Sequence, residues 1–328
     1  MLLRSLLNNN HTKPTASSVS VVTKCLSRFN SSSTPKIACS TSSKTHPTEE
    51  SSKVLRHLHF SKPGIPFNNG LEIQEQIVRA QLDMKKIESG IYKRLNELHK
   101  NNLDVNSYEK ELLKNILDMK PNPVILTFEF ESTYTAGKRV RKQITEAEIK
   151  AYENFRPQGS SLSESPTKFI QLDRGGQITY HGPGQMVAFM IFDLKSFNNF
   201  PARCFVNGIE EATINCFDQL GIKAERTKNT GVWSKTNAGK LASIGVHVRR
   251  NITSHGVCIN VSPNLDYLNH FVMCGLPDAK ATSIAELQPK GDKTPSVDEI
   301  AMLFTNKMAK VLGINKVERI LIDSHTLE

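Results

Sequence analysis

The sequence predicts an α/β fold, a single domain in which a central mixed, largely antiparallel sheet is flanked by helices. Apolar residues alternate over short stretches such as residues 54–60 and 124–131, which is typical of strands. They recur every three or four residues from residue 73 to residue 98, which is typical of a helix. Strands and helices do not alternate regularly, and several strands follow one another as hairpins, so a mixed or mostly antiparallel sheet is expected.

Apolar spacing and capping residues predict five helices. Asn68 or Asn69 is expected to cap the first helix, Gly221 to follow the fourth, and Ser296 to open the last through a capping box. The five helices are predicted near residues 69–98, 106–119, 146–154, 202–220 and 297–312. The third lies in a polar, Ser-rich excursion over residues 140–167, which we expect at the surface.

Six strands are predicted, at residues 54–60, 124–131, 169–173, 186–194, 240–248 and 253–261. The third and fourth strands are expected to form a hairpin around the segment between them. The fifth and sixth are expected to form another hairpin with small residues at facing positions, which leave room for a ligand across the sheet. No Pro-rich linker or internal repeat interrupts residues 54–328. We therefore expect one domain over residues 51–328.

The first 50 residues predict a mitochondrial leader. Residues 1–48 begin Met-Leu-Leu-Arg-Ser-Leu-Leu, are rich in Ser, Thr and Asn, and contain six basic side chains and no acid. That composition resembles a mitochondrial transit peptide, and a secretory signal would need a longer apolar core. We therefore predict a transit peptide and disordered lead over residues 1–50 and a location in the mitochondrial matrix. A disordered tail without a targeting role is the alternative.

Charge and composition exclude several function classes. The net charge is +10, but the leader carries +6 of it, so the rest of the chain is only mildly basic and lacks the dense basic stripe of a nucleic-acid-binding protein. No apolar run reaches the roughly 18 residues of a membrane helix. The six cysteines show neither metal-ligand spacing nor the density of a secreted disulfide scaffold. We expect no metal and no bound cofactor.

Residues 172–185, called the glycine loop below, predict a binding site. They read Leu-Asp-Arg-Gly-Gly-Gln-Ile-Thr-Tyr-His-Gly-Pro-Gly-Gln. Glycine loses more entropy on ordering than any other residue, so four glycines in fourteen residues indicate that something passes close to this backbone. Arg174, Thr179, Tyr180 and His181 supply hydrogen-bond donors at the same place. The alternative is a tight hairpin with an incidental histidine, and neither nucleotide-binding glycine motif is matched.

Cys274 is a candidate nucleophile because it precedes Gly275 and is therefore sterically open. A thiol with an ordinary pKa of about 8.5 needs a nearby cation to become a thiolate near neutral pH. Lys240, at the start of a strand among small residues, is one such cation, and His181 or His255 is another. An ordinary buried cysteine remains the competing interpretation at this point.

Four blocks of the chain resemble the octanoyl (lipoyl) transferases, which move an octanoyl chain from acyl carrier protein to a lipoyl-domain lysine. They are the Arg-Gly-Gly-x-x-Thr-Tyr-His-Gly-Pro-Gly-Gln run of the glycine loop, the Gly-Lys-x-Ala-x-x-Gly run of residues 239–245, the His-Gly-x-x-x-Asn-Val run of residues 255–261, and Cys274–Gly275. The blocks stand in family order over roughly 100 residues. Two departures are Met273, where family members commonly have Pro, and a longer polar excursion before residue 169.

The resemblance implies a fold of the biotin- and lipoate-ligase type, Cys274 as acyl-thioester nucleophile and Lys240 as the residue that activates it. It implies substrate contacts from Arg174, Gly175, Gly176, Gln177, Ile178, Thr179, Tyr180, His181, Ser243, Ile244, Gly245, Gly256, Val257 and Cys258. Backbone N–H groups of the glycine loop, Gly245 or Gly256 would hold the oxyanion, with the acyl chain in an apolar trough under the second hairpin. The implied partners are octanoyl-acyl carrier protein, lipoyl domains and the glycine-cleavage H protein.

Two other functions compete with this interpretation. An ATP-dependent lipoate or biotin ligase of the same fold would have an Arg-x-Ser-Gly-Gly-Gly-like loop and would need no cysteine. A mitochondrial RNA-binding or assembly protein would fit the pI near 9.3, but it predicts basic residues interleaved with aromatic ones, which are not found outside the leader.

Overall fold

The computed structural model of the chain describes residues 45–158, 166–271, 278–289 and 291–323, which belong to one compact unit. Residues 1–44 of the predicted leader and the candidate nucleophile Cys274 lie outside the described residues. The described chain joins the body before residue 51, because the His46 N–H donates to Asn198 Oδ1 and Pro47 pairs with Phe197.

All five predicted helices are present among the described residues, together with two short helices that were not predicted, Leu265–Asn269 and Ile284–Leu287. Counted in chain order, α1 to α7 span Phe67–Lys100, Ser107–Asp118, Glu146–Asn154, Ala202–Gln219, Leu265–Asn269, Ile284–Leu287 and Val297–Leu312. Ser296 closes the predicted capping box on α7, and Gly313 ends that helix in the left-handed region. Asn68 and Asn69 do not cap α1, because Pro66 precedes it and the two asparagines lie within its first turn.

The strands β1 to β11 span Val54–Phe60, Val124–Phe128, Thr133–Ala136, Lys168–Gln171, Ile178–His181, Gln185–Ile191, Ala224–Arg226, Val232–Ser234, Lys240–Arg249, Ile252–Asn260 and Lys316–Ile322. The sequence analysis missed β3, β5, β7, β8 and β11. Strand β5 was hidden by the glycines around it, and the apolar residues of β11 do not alternate because Glu318 and Arg319 interrupt them.

An eight-stranded sheet forms the centre of the domain, in the order β11-β1-β2-β6-β10-β9-β8-β7. Strand β1 pairs in parallel with both β11 and β2, and every other pair in this sheet is antiparallel. The prediction of a mixed, largely antiparallel sheet with flanking helices is confirmed. A second sheet of three strands, in the order β4-β3-β5, lies beside it.

The predicted hairpin around the glycine loop is wrong. Strand β4, which enters the loop, pairs in parallel with β3 in the small sheet, whereas β6, which follows the loop, lies between β2 and β10 in the large sheet. Between them β5 pairs with β3. The loop therefore connects the two sheets. The chain turns twice within it, once between β4 and β5 and once between β5 and β6, and glycines lie at both turns.

The large sheet is covered on both faces. Helices α4 and α7 pack together against the face that presents Ala188 and Met190 of β6. Phe189, between them in sequence, points to the opposite face, where its ring lies 5.9 Å from Phe67 of α1. In the described ranges, no helix combines the length and the apolar character that crossing a membrane requires.

Candidate active site

The second predicted hairpin, β9 and β10, brings six of the predicted substrate-binding residues together. Gly245 faces Gly256 across the two strands, Ile244 faces Val257, and Ser243 faces Cys258. Arg250 and Asn251 take up positive φ angles of 51° and 68° at the turn. The predicted facing of small residues is confirmed.

The space at Gly245 is occupied by the glycine loop. A Cβ atom at this position would lie 3.0 Å from Arg174 Cδ and 3.1 Å from the Gly175 carbonyl oxygen. The Gly175 N–H also donates to the Val246 carbonyl at 3.0 Å. The small residues of β9 thus allow the backbone of the loop to lie directly on the sheet.

Arg174 holds the glycine loop to the small sheet. Its side chain is buried, and one terminal nitrogen donates to both the carbonyl and the hydroxyl of Thr135, at 2.9 and 2.7 Å. The other donates to the carbonyls of Gly175 and Gln177. These four hydrogen bonds fix the loop around the guanidinium. Arg174 therefore stabilises the conformation of the glycine loop.

Several backbone N–H groups of the glycine loop already have acceptors. Gly175 donates to Val246, Gly182 to the side-chain oxygen of Gln185 at 2.9 Å, and Gly184 to Glu129 Oε1 at 2.8 Å. Because an oxyanion needs a donor that is not committed elsewhere, these three groups are not available for one. Gly184 also requires its positive φ of 81°, which β-carbon-bearing residues avoid.

His181 and His255 are both buried beside Arg174, with 6% and 7% of their surface exposed. Burial, followed by the charge of Arg174, lowers the pKa of His181 well below its ordinary value and that of His255 to about 3. Both rings are therefore neutral near pH 7. The suggestion that either histidine supplies the cation for a thiolate is wrong, because desolvation opposes its charged form.

The two histidines differ in their contacts. His181 stacks on Phe67 with ring centroids 5.0 Å apart, and its buried Nδ1 has no hydrogen-bond partner among the described residues. His255 has a φ of 59°, and its backbone N–H donates to Gln74 Oε1 at 2.6 Å. Only His181 thus presents a buried polar ring atom without a described partner.

Lys240 is buried at the start of β9, with 4% of its surface exposed. Its backbone N–H donates to the Lys280 carbonyl at 2.8 Å, and its carbonyl accepts from the Thr282 N–H at 3.0 Å. Its ammonium lies 5.2 Å from the centroid of the Trp233 ring. The segment that follows residue 277 in sequence is therefore bound to the backbone of Lys240.

A buried chain of hydrogen bonds connects the glycine loop to Lys240. Gln185 accepts from the Gly182 N–H and donates through Nε2 to Asn260 Oδ1 at 2.8 Å. Asn260 then donates through Nδ2 to the carbonyls of Lys240 and Thr282, at 3.2 and 2.9 Å. Gln185 and Asn260 both belong to the family motifs described above. Only the fold shows that their side chains connect the glycine loop to Lys240.

An aromatic cluster lies between the small sheet and α5. The rings of Tyr180 and Tyr267 stack 4.7 Å apart, and the Tyr134 hydroxyl donates to the Tyr267 carbonyl at 2.8 Å. Phe271, three positions before Cys274 in sequence, packs edge-on against Tyr134, and Ala281 belongs to the same cluster. Both described flanks of residues 272–277 thus contact the elements that carry the glycine loop and Lys240.

The two free cysteines in the described ranges are unsuited to nucleophilic attack. Cys216 and Cys258 are buried. Burial raises the pKa of Cys216 to about 12 and shifts that of Cys258 further in the same direction. Neither thiol would ionise near neutral pH, because both lie in surroundings that disfavour a thiolate.

A polar pocket of about 270 Å³ opens beside His255 and the start of the glycine loop. Charged side chains line its mouth: Glu75 pairs with Arg249 at 3.0 Å, and Asp173 pairs with Arg141 at 2.9 Å. These charges make the pocket unsuitable for an acyl chain. Among the described residues, no group of three or more His, Cys, Asp or Glu is arranged to hold a metal ion.

Comparison with known proteins identifies the family of the chain. Residues 102–309 match the model of the lipoyl protein ligase A/B catalytic domain. A Kluyveromyces lactis protein named "Octanoyltransferase, mitochondrial" is 48% identical over 300 residues, covering 88% of this chain and 89% of the relative. A Xenopus tropicalis protein named as a mitochondrial octanoyl-[acyl-carrier-protein]:protein N-octanoyltransferase is 35% identical over 166 residues, 51% of this chain and 64% of the relative.

A solved structure extends the likeness to the fold. A bipartite lipoate protein ligase from Thermoplasma acidophilum superposes with a TM-score of 0.53 at 14% identity, covering 83% of this chain and 89% of that one. The mitochondrial names of the relatives confirm the predicted location. The chain belongs to the lipoyl protein ligase A/B catalytic-domain family and, within it, to the mitochondrial octanoyltransferases.

Proposed function

We propose that this acyltransferase moves an octanoyl group from octanoyl-acyl carrier protein, through a thioester on Cys274, to the lysine of a lipoyl domain or of the glycine-cleavage H protein. The observation that carries the proposal is the arrangement around Lys240. A buried lysine is fixed between the glycine loop and the segment that follows residue 277, in a chain that is 48% identical to an octanoyltransferase.

Acyl transfer would proceed in two steps. The Cys274 thiolate attacks the thioester carbonyl, the bond from the carbonyl carbon to the carrier sulfur breaks, and the carrier thiolate leaves and takes up a proton. The amine of the acceptor lysine then attacks the acyl-enzyme and loses a proton, and the Cys274 thiolate leaves. One thioester replaces another in the first step, so no nucleotide is needed.

Lys240 is proposed as the cation that favours the Cys274 thiolate. Support comes from the neutrality of the two histidines, since burial lowers the pKa of both His181 and His255 and removes them as alternative cations. A positive charge close to a thiol favours its ionised form. The raised pKa values of Cys216 and Cys258 also agree with a nucleophile elsewhere in the chain.

The substrate contacts of the glycine loop and hairpin remain part of the proposal. Backbone or side-chain groups of Thr179, Tyr180 and His181 on β5, with those of Ser243 and Ile244 on β9, would contact the acyl donor. Arg174 would act through the loop that it holds. The polar pocket beside His255 would receive a polar part of a partner, because its lining is charged.

Intact-mass spectrometry tests the function directly. Incubation with octanoyl-acyl carrier protein should add one octanoyl group to the chain, and a lipoyl domain should then remove it. Both steps should proceed with EDTA present and without ATP. If transfer required ATP and free octanoate, the chain would be a ligase, the alternative with the same fold. If no adduct formed although the lipoyl domain became acylated, the covalent intermediate would be wrong.

A further inference from the structure

The Trp233 ring is the described side chain that lies over the Lys240 ammonium. Building on the proposed role of Lys240, we infer that Trp233 is a positioning residue for octanoyl transfer, which holds this ammonium by a cation–π contact. The two residues are cross-strand partners on β8 and β9. The register of the pairing shifts at Trp233, so the observed contact between ring and ammonium, and not regular strand alternation, puts the two side chains on one side of the sheet.

The ring is itself held in place. Trp233 is buried, and its indole Nε1–H donates to the Asn229 carbonyl at 3.1 Å. The ammonium lies 5.2 Å from the ring centroid, within the roughly 6 Å at which the ring quadrupole attracts a cation. A fixed ring restricts where a flexible lysine can place its charge.

Gly231 provides the space for the stem of Lys240. A Cβ atom there would lie 2.7 Å from Lys240 Cε and 2.6 Å from the Ala242 carbonyl oxygen, and the residue has a φ of 123°. Its N–H donates to Glu210 on α4 at 3.1 Å. The stem therefore runs over a glycine that is anchored to a helix.

A cation–π contact suits a lysine that has to act on a thiol. Burying an ammonium costs free energy unless another interaction compensates. An aromatic face compensates part of that cost and carries no net negative charge that would compete with a thiolate. Glu210, the acid behind Gly231, is occupied by the Gly231 N–H and by Arg226 at 3.4 Å. The ring thus helps to hold the ammonium in place and adds no negative charge beside it.

The experiment uses the fact that Trp233 is the only tryptophan in the chain. Growth on mono- or difluorinated tryptophan therefore changes this ring alone, and it weakens the attraction for a cation with little change in shape. We expect kcat for octanoyl transfer to fall stepwise with fluorine number, while KM for the carrier and the melting temperature stay unchanged. Complete loss of the contact corresponds to about a 2- to 30-fold fall.

Substitutions give a second measurement. Trp233→Phe, which keeps an aromatic face, should retain more activity than Trp233→Leu, and urea unfolding of both variants separates this effect from stability. In a Lys240→Met background the fluorinated rings should have no further effect, because the cation is absent. A fluorine series with unchanged kcat, or an equal effect in the Lys240→Met background, would overturn the inference.

These outcomes are distinguishable from a failure of the proposed function. If Lys240→Met transferred octanoyl groups at the full rate, the role proposed for Lys240 would be wrong. If Lys240→Met were impaired while fluorination changed nothing, only the role of Trp233 would be wrong.

Discussion

The two halves of the large sheet bury ionisable side chains in different ways. In the parallel half, His57 and His59 of β1 both contact the Thr127 hydroxyl of β2 at 2.8 Å. His59 also pairs with Asp298 at 2.5 Å, and Arg319 of β11 pairs with the same carboxylate. A hydroxyl has one proton, so Thr127 donates to one ring and accepts from the other. This cluster joins three strands and α7.

In the antiparallel half, polar side chains from distant parts of the chain converge on one residue. Gln185, Asn260 and Trp233 contact Lys240 or lie one hydrogen bond away from it. The parallel half satisfies its polar groups with one another, whereas in the antiparallel half Gln185 and Asn260 hold the backbone of Lys240 and Trp233 contacts its ammonium. Comparing the two halves shows that burial of a charged or titratable group does not itself indicate function. Under the proposed function, the halves differ because the contacts of the antiparallel half direct Lys240 toward a substrate.

The largest effect is expected at Cys274. Cys274→Ser should abolish both the octanoyl adduct and transfer to a lipoyl domain, because serine is a far weaker nucleophile without a strong base. Intact mass and a transfer assay measure the two outcomes, and Cys216→Ser serves as a matched control that should keep both. A hydroxylamine-labile adduct on the Cys274→Ser variant would show that the nucleophile lies elsewhere.

The next largest effect is expected at Lys240, in the antiparallel half of the large sheet. Lys240→Met should raise the pKa of the reactive thiol, so iodoacetamide labelling near neutral pH should slow about tenfold for each unit of pKa increase. The higher intrinsic nucleophilicity of a high-pKa thiolate offsets part of this slowing. The alkaline plateau of labelling should survive. If labelling near pH 7 were unchanged, Lys240 would not favour the thiolate. It would act only when the acceptor amine attacks, or only in packing.

Thr127→Val tests the parallel half by removing a hydroxyl without changing side-chain shape. Two buried ring nitrogens would lose their partner, which should reduce the free energy of unfolding by about 2–4 kcal/mol. The value of kcat at a temperature where the variant is folded should not change. Urea unfolding and the transfer assay measure the two quantities. A large fall in kcat without destabilisation would mean that the two halves are coupled.

Acid should destabilise the chain through its buried neutral histidines. Burial lowers the pKa of His57 and of His255 to about 3, below the unfolded value of 6.5. The unfolded state therefore binds protons below pH 6.5 while the folded state does not, so stability falls as pH drops from about 7 toward 3. Each histidine should contribute about 2 kcal/mol of loss by pH 5.

Urea unfolding at pH 7 and pH 5 measures this loss. His57→Gln keeps an amide donor for Thr127 but does not titrate, so its stability should depend less steeply on pH than that of the parent chain. An unchanged pH dependence in this variant would show that His57 is protonated in the folded state.

The smallest effect is expected at the hairpin turn. Arg249 already pairs with Glu75, whereas Arg250 is exposed at the turn, so Arg250 is the better test of electrostatic steering. Arg250→Glu should lower kcat/KM for an acidic carrier protein a few-fold at low salt and less at physiological ionic strength. Arg203→Glu, at an exposed position on α4, is the matched control. If both variants showed the same salt dependence, Arg250 would not steer the carrier protein to the site.

Much of the fold and of the candidate site was predictable from local pattern. Strand β1 and helix α3 match the predicted bounds, because alternating apolar residues and a Thr145 capping box specify them locally. The hairpin of β9 and β10 followed from its small residues and its turn. The pairs of residues that face one another on that hairpin were predictable because residues on either side of a short turn are close in sequence, whereas their role in binding was implied by the family resemblance.

Local pattern could not show where each strand would pair. Strands β4 and β6 flank the glycine loop, yet they belong to different sheets, and the parallel neighbours β11 and β1 are separated by most of the chain. Pairing between distant strands depends on which faces can be buried together, and a strand carries little record of that in its own sequence.

The sequence by itself determined the family, the helices and the residue types of the site, including Lys240 and the glycine loop. Only the tertiary structure decided that His181 and His255 are neutral and that Arg174 supports the loop. It also decided that Trp233 contacts the ammonium of Lys240, whose backbone carbonyl is held by Asn260. The reason is physical: a side chain acquires its charge state and its partners from burial and neighbours, and these are set by segments far apart in the chain.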